Sequence, residues 1–339
     1  MTASTLFSNV YVSGAISGVF AGLVAIFVTF IIERWGGIVG GVLGSIPTTI
    51  VPAAVGFWLQ CDPSSNVDIA KFQNSLLGVV PGMLINSVFL WVWKALPPKI
   101  EAKAPTLSIA KFLSLMAALS LLVWLVLAIA AVLILKSIAS LPVSDNGTSD
   151  AYTATIAIFH EPQRIGSFVV ALACFSIQLG LGIYNSWNVV AAPKGKSRVG
   201  PLIIFLRGLL AAAAIFVSLL ISRINDFAGG VASIFPAIFL TSMVSLWISQ
   251  SASVPVGATG PLMLGSLSVS FFAMCSCFLV TLMNPVGAFV LCWIASVAIV
   301  SVPSFYTSTG AAPSRIGGRP RLPPRKASLA SPRISRSKS

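Results

Sequence analysis

The chain has 339 residues, 56% of them hydrophobic and only 9% charged, with a mean hydropathy of +0.96. A soluble domain carries about a quarter charged residues, so the composition excludes a soluble globular protein and points to an all-α polytopic membrane protein. The net charge of +13 is concentrated, since eight of the 21 basic residues lie from Arg315 onward.

Apolar runs long enough to cross a bilayer predict about nine transmembrane helices, at roughly 8–32, 37–60, 73–95, 111–135, 166–187, 201–222, 229–249, 257–281 and 286–305. The first begins near Phe7 with no basic flank ahead of it, so it reads as a span and not as a cleavable signal peptide. It gives way to the charged pair Glu33-Arg34, expected in the short link to span 2.

Span 2 runs Gly36-Gly37-Ile38-Val39-Gly40-Gly41-Val42-Leu43-Gly44-Ser45-Ile46-Pro47-Thr48-Thr49-Ile50-Val51-Pro52. Five glycines and two prolines in 17 residues would break a soluble helix. In a membrane they are tolerated where neighbouring helices or a wet cavity satisfy the freed backbone. Pro47 is expected to free a carbonyl one turn earlier, and such carbonyls and half-helix ends can hold ions or polar groups. Close helix packing, with Pro47 as a simple kink, is the competing reading.

Further along, Trp91 and Trp93 flank Lys94 as an interfacial belt would. The loop at about 136–165 carries the sequon Asn146-Gly147-Thr148, a glycosylation candidate, and the single histidine, His160, as a solvated residue. Arg207, inside span 6, is expected to snorkel to the surface. Span 7 repeats the glycine–proline pattern as Gly229-Gly230-Val231-Ala232-Ser233-Ile234-Phe235-Pro236. The five cysteines have neither disulfide nor zinc spacing and read as small core residues. The tail after 305 is rich in Ser, Pro and Gly and reads as a disordered cytoplasmic anchor that touches anionic lipid.

Orientation follows from Lys and Arg. With the N-terminus outside or lumenal and the C-terminus cytoplasmic, the cytoplasmic segments hold Arg34, Lys94, Lys99, Lys103, Lys111, Lys194, Lys196, Arg198 and the eight tail residues, against Lys71, Lys136, Arg164 and Arg223 opposite. The sequon agrees with this assignment and leans towards a plasma or secretory-pathway membrane.

The chain also contains a duplication. Ala25–Trp58 aligns without a gap on Ala214–Trp247 at an offset of 189, with twelve of 34 pairs identical. The identities include Arg34/Arg223, Gly40/Gly229, Gly41/Gly230, Pro47/Pro236 and Trp58/Trp247, a set that apolar composition alone would not align. Pro81-Gly82-Met83-Leu84 matches Pro261-Leu262-Met263-Leu264 after the loop shortens by nine residues. Span 5 lies between the copies, and an odd crossing inverts the second. The expected architecture is therefore a 4+1+4 inverted repeat: repeat 1 over 1–135, an outer loop and linking span over 136–200, repeat 2 over 201–305, and the tail over 306–339.

The first copy, Val24–Trp93, resembles a family of short four-span bacterial inner-membrane proteins with no assigned function. The resemblance rests on Glu33-Arg34, the run Gly40 to Thr48, Trp58, the acidic turn at Asp62, and a third span with Pro81 and Phe89. The second copy keeps Arg223, Gly229-Gly230, Pro236 and Trp247 but has Ser222 in place of Glu33 and nothing acidic after Trp247. The resemblance implies a duplicated and fused pair of such units, and no substrate.

Where the two interrupted spans meet, Gly44, Ser45, Pro47, Thr48 and Thr49 would supply one side of a solute site and Ser233, Pro236, Thr241 and Ser242 the other. Glu33, Arg34, Arg223 and Asp226 are the candidates for coupling or gating. No phosphate loop, metal-ligand spacing or Ser/His/Asp grouping is visible, so no cofactor, metal, nucleic acid or enzymatic activity is expected. The composition fits a secondary transporter or exporter of a small, largely neutral or amphipathic solute, with membrane lipids as its other partners. A channel, and a non-transporting scaffold or lipid-handling protein, are the alternatives.

Overall fold

The structure, a computed structural model, describes residues 9–35, 46–104, 106–139, 162–187, 200–249 and 253–310, and among these every regular element is helical. Among the described residues, eight helical stretches are long and apolar enough to cross a membrane. The difference from nine lies in span 2. Only α2 (Ile50–Leu59) is described there, behind a turn over 46–49, and residues 36–45 lie outside the described residues.

The first spans of the two copies, α1 (Val10–Trp35) and α7 (Pro201–Ser222), pack side by side and antiparallel. Gly14 lies against Phe216, Gly18 against Ala212 and Gly22 against Gly208. A Cβ on Gly18 or Gly22 would stand 2.9 Å from the carbonyl oxygen of Ala212 or Gly208. Lipid tails are as apolar as leucine, so helices in a bilayer associate through such close backbone approach.

The centre is formed by α3 (Asn66–Ala95) and α10 (Ser253–Leu282), each of 30 residues with one internal proline, Pro81 and Pro261. Both are buried over most of their length, while the spans around them are mostly exposed to the surroundings. They too run antiparallel. Near the start of α3, Gln73 Nε2 donates to the carbonyl of Cys277, near the end of α10, at 3.0 Å. At the other end, Lys94 Nζ donates to Asn185 Oδ1 at 3.0 Å, and the Asn185 carbonyl abuts Gly260 near the start of α10.

Asn185 belongs to α6 (Pro162–Ser186), the linking span, which packs on both central helices. Gln178 of α6 donates through Nε2 to Ser266 Oγ at 3.0 Å and accepts from Ser270 Oγ at 2.9 Å, so its buried amide is matched on both sides. An amide left unmatched at that depth would cost several kcal/mol, on the order of 2–7.

Two elements were not foreseen. A short helix, α4 (Pro97–Lys103), turns the chain from α3 into α5 (Ile109–Ala139). Its prolines at the start suit the first helical turn, whose amides lack partners anyway. The last span is α11 (Pro285–Ser296), a wide π turn over Val297–Ser301, and α12 (Val302–Gly310), so the helix reaches 310 and not 305.

Predicted span 7 is not one helix. It is α8 (Asp226–Ser233) followed by α9 (Ala237–Ser249), interrupted at Ile234-Phe235-Pro236.

The connections sort to two ends. Lys94, Lys99, Lys103 and Lys111 share one end with Glu101, and Asp62, Asp68, Lys71, Lys136, Arg223 and Asp226 share the other.

Candidate functional site

The two proline turns have the same backbone closure. Thr48 N–H donates to the Ile46 carbonyl at 2.7 Å, and Ala237 N–H donates to the Phe235 carbonyl at 2.7 Å. These residues are equivalent under the offset of 189. A new helix, α2 or α9, starts just after each, so its first amides have no partners within the helix itself.

The hydroxyls expected to line a site are largely spoken for. Thr48 Oγ1 donates to the Ile46 carbonyl at 3.4 Å, Ser233 Oγ to Gly230 at 2.7 Å, and Thr241 Oγ1 to Ala237 at 2.8 Å. Thr49 precedes α2 as its N-cap without a side-chain cap bond, and Pro47 and Pro236 are buried. Among the described residues, no hydroxyl of one interruption bonds to the other. Their surroundings differ as well. Gly56 in α2 faces Ser17 of α1 and Leu219 of α7, whereas α8 lies along α3, with Gly82 of α3 facing Ile234. Gly44, Ser45, Asn146 and His160, and the side chains of Glu33 and Arg34, lie outside the described residues.

The freed carbonyl is not where the proline rule puts it. Ala232, four residues before Pro236, accepts from Phe235 N–H at 3.0 Å. The carbonyl of Ile234, inside the interruption, is capped by a side chain from α3: Asn86 Nδ2 donates to it at 2.8 Å. Asn86 Oδ1 in turn accepts from Trp124 Nε1 of α5 at 2.9 Å. The Trp124 ring stands edge-on to Phe235, with centroids 5.3 Å apart. Asn86 is 2% exposed and Trp124 6%, so this chain of hydrogen bonds is buried, where an unmade bond is costly. The sequence reading weighed charged residues and hydroxyls at depth and passed over Asn86. An amide inside a 30-residue apolar helix was the available signal.

The charged candidates sit at the ends. The backbone of Glu33 and Arg34 belongs to the last turn of α1 and not to a link. Arg223 caps α7 and is exposed. Asp226 opens α8, is half-buried, and its carboxylate is hydrogen-bonded to Asn74 of α3, with Lys71 and Asp68 near enough to interact. Arg207 does not snorkel: it is 7% exposed, inside the bundle.

In the α2–α3 link, the Ser64 hydroxyl and amide hold the Asp62 carboxyl below its ordinary range. Burial, with Asp68 and Asp62 nearby, pushes the Cys61 thiol up to about 12, so it is a poor nucleophile. Among the described residues, no group of three His, Cys, Asp or Glu side chains could hold a metal ion. A shallow, almost wholly apolar groove on α1, lined by Ala15, Ile16, Val19, Phe20 and Leu23, faces outward and has no polar group to orient a solute.

Compared with family models, curated proteins and solved structures, the chain matches none.

Proposed function

We propose that the protein is a secondary transporter or exporter of a small, largely neutral or amphipathic solute, working by alternating access of two inverted repeats. The observation that carries this reading is the pair of proline turns, closed by the same 2.7 Å backbone bond in both copies. Discontinuous spans with half-helix ends at mid-membrane are a recurrent feature of transporter sites.

The antiparallel runs of α1 on α7 and α3 on α10 support the inverted arrangement. So do the duplicated tryptophans, which pack at opposite ends of α3: Trp58 on Phe72 at 5.2 Å, and Trp247 on Trp93 at 6.1 Å. The lysine-bearing end is the cytoplasmic one in this reading. Scarcity of buried charge argues for a solute without strong net charge.

The test is thermal stability of the detergent-purified protein against a panel of metabolites, ions and lipids. A ligand at 100 times its dissociation constant adds about 2.7 kcal/mol. In a Thr48→Val/Thr49→Val double variant that stabilisation is expected to disappear. A double variant that responds fully removes the site assignment.

A scaffold or lipid-handling role has its own supporting observation. Gly18, Gly22, Gly78 and Gly230 all sit where a Cβ would press on a neighbouring backbone, which is what packing alone requires. Stabilisation by lipids, with no response to any solute, would favour that role.

A further inference from the structure

Lys94 lies in the last turn of α3, half-buried against the last turn of α6. Its Nζ donates to Asn185 Oδ1 at 3.0 Å and to the Asn185 carbonyl at 3.4 Å. Asn185 is itself fixed. It is buried, its Nδ2 donates to the Leu181 carbonyl at 2.9 Å, and its backbone abuts Gly260 of α10. The end of α3 is fixed as well, because Trp93 Nε1 donates to Ser120 Oγ at 3.2 Å and the ring packs on Trp247. Lys94 is therefore a cation held in place from both sides.

Capping the end of α6 accounts for the two bonds, but both acceptors are neutral oxygens and the charge is left over. Among the described residues no carboxylate pairs with Lys94; the ion pair they form is Lys71 with Asp68, at the opposite end. Glu101, the acidic side chain described at the lysine-bearing end, is exposed on α4. An ammonium has three donors, and a charge-assisted bond to an anion is the strongest use of them.

The surroundings give the depth at which that anion lies. Trp91, three residues before Lys94 and on the same face of α3, is exposed, and so are Tyr184 and Trp187 on either side of Asn185. Aromatic side chains at the end of a span sit at the level of lipid headgroups.

We propose that the seam between the ends of α3 and α6 binds the headgroup phosphate of an anionic phospholipid, with Lys94 as its ligand and Asn185 as the residue that positions it. In the proposed orientation this end is cytoplasmic, the side whose leaflet carries the anionic lipids. The site serves a transporter and a scaffold equally, so its test is independent of the transport reading.

The test is lipid retention by the full chain, released from nanodiscs of equal parts phosphatidylglycerol and phosphatidylcholine and weighed by native mass spectrometry. Phosphatidylglycerol is the probe because its phosphate is its only charge. Attraction of one exposed lysine to an anionic surface is worth about fivefold. The wild type is expected to exceed that, retaining one phosphatidylglycerol at least tenfold over phosphatidylcholine. Lys94→Gln keeps a donor for Asn185 but removes the charge, and is expected to lose the preference. Asn185→Asp gives Lys94 a counter-ion and is expected to lose it too, an effect on lipid choice that a merely structural role would not produce. Lys103→Gln, at an exposed position, is expected to stay within twofold of wild type.

A Lys94→Gln variant that prefers phosphatidylglycerol as the wild type does overturns the site. Equal losses in Lys94→Gln and Lys103→Gln overturn it in favour of diffuse charge, and an unchanged preference in Asn185→Asp removes the positioning role. Displacement of the lipid by excess inorganic phosphate overturns the assignment to a headgroup. Should Lys94→Gln fail to fold, the wild type decides alone, since equal retention of the two lipids sinks the proposal.

Discussion

At the scale of single residues, glycine does two different jobs in this chain, and the neighbours tell them apart. Gly230 lies so close to the Ser75 carbonyl that a methyl group has nowhere to go, whereas a Cβ on Gly287 meets nothing within 4 Å. Gly230→Ala is therefore expected to destabilise by about 1–3 kcal/mol, the usual cost of overpacking. Gly287→Ala, inside α11, is expected to be neutral or to add up to about 1 kcal/mol, because alanine is the better helix former. Thermal unfolding of the two variants checks both signs; equal effects would remove the distinction. The sequence showed Gly230 as one half of a duplicated pair, but not what it touches. That depends on α3, which is some 150 residues away in the chain.

At the scale of elements, hydropathy located the spans well because each helix must hide its own backbone from lipid. The interruption in span 7 was legible from Pro236 and its duplicate. Its consequence was not, because the Ile234 carbonyl takes its cap from Asn86, on another helix. The short helix α4 was unreadable for a different reason: it lies in the interfacial link, where apolar periodicity carries no span signal. Caps were equally overlooked. Asn225 Oδ1 accepts from Ala228 N–H at 2.9 Å at the start of α8, so Asn225→Ala is expected to cost about 1 kcal/mol. Thermal unfolding of the variant checks it, and an unchanged midpoint would show that the cap contributes nothing.

At the scale of the whole molecule, the duplication was the most legible feature and the site the least. Both copies could be aligned by eye, yet Ser233 and Thr241 turned out to bond to their own helices, which no alignment reveals. The proposed orientation rests on lysines that the fold itself does not require. Lys99, Lys103 and Lys111 are exposed, so neutralising all three to Gln should leave packing intact but weaken the charge bias, measurable as a second population in which those positions label from the opposite face of the membrane. A single orientation would show that the remaining basic residues suffice. The antiparallel contact between α1 and α7 carries a consequence for ancestry. On the proposed inverted-repeat reading, two segments of related sequence that lie antiparallel against each other imply a single-copy forebear that inserted both ways and paired with its own mirror-directed twin. Fusion through α6 would then have turned a mixed population into one molecule of fixed composition, leaving each half free to diverge on its own side of the bilayer.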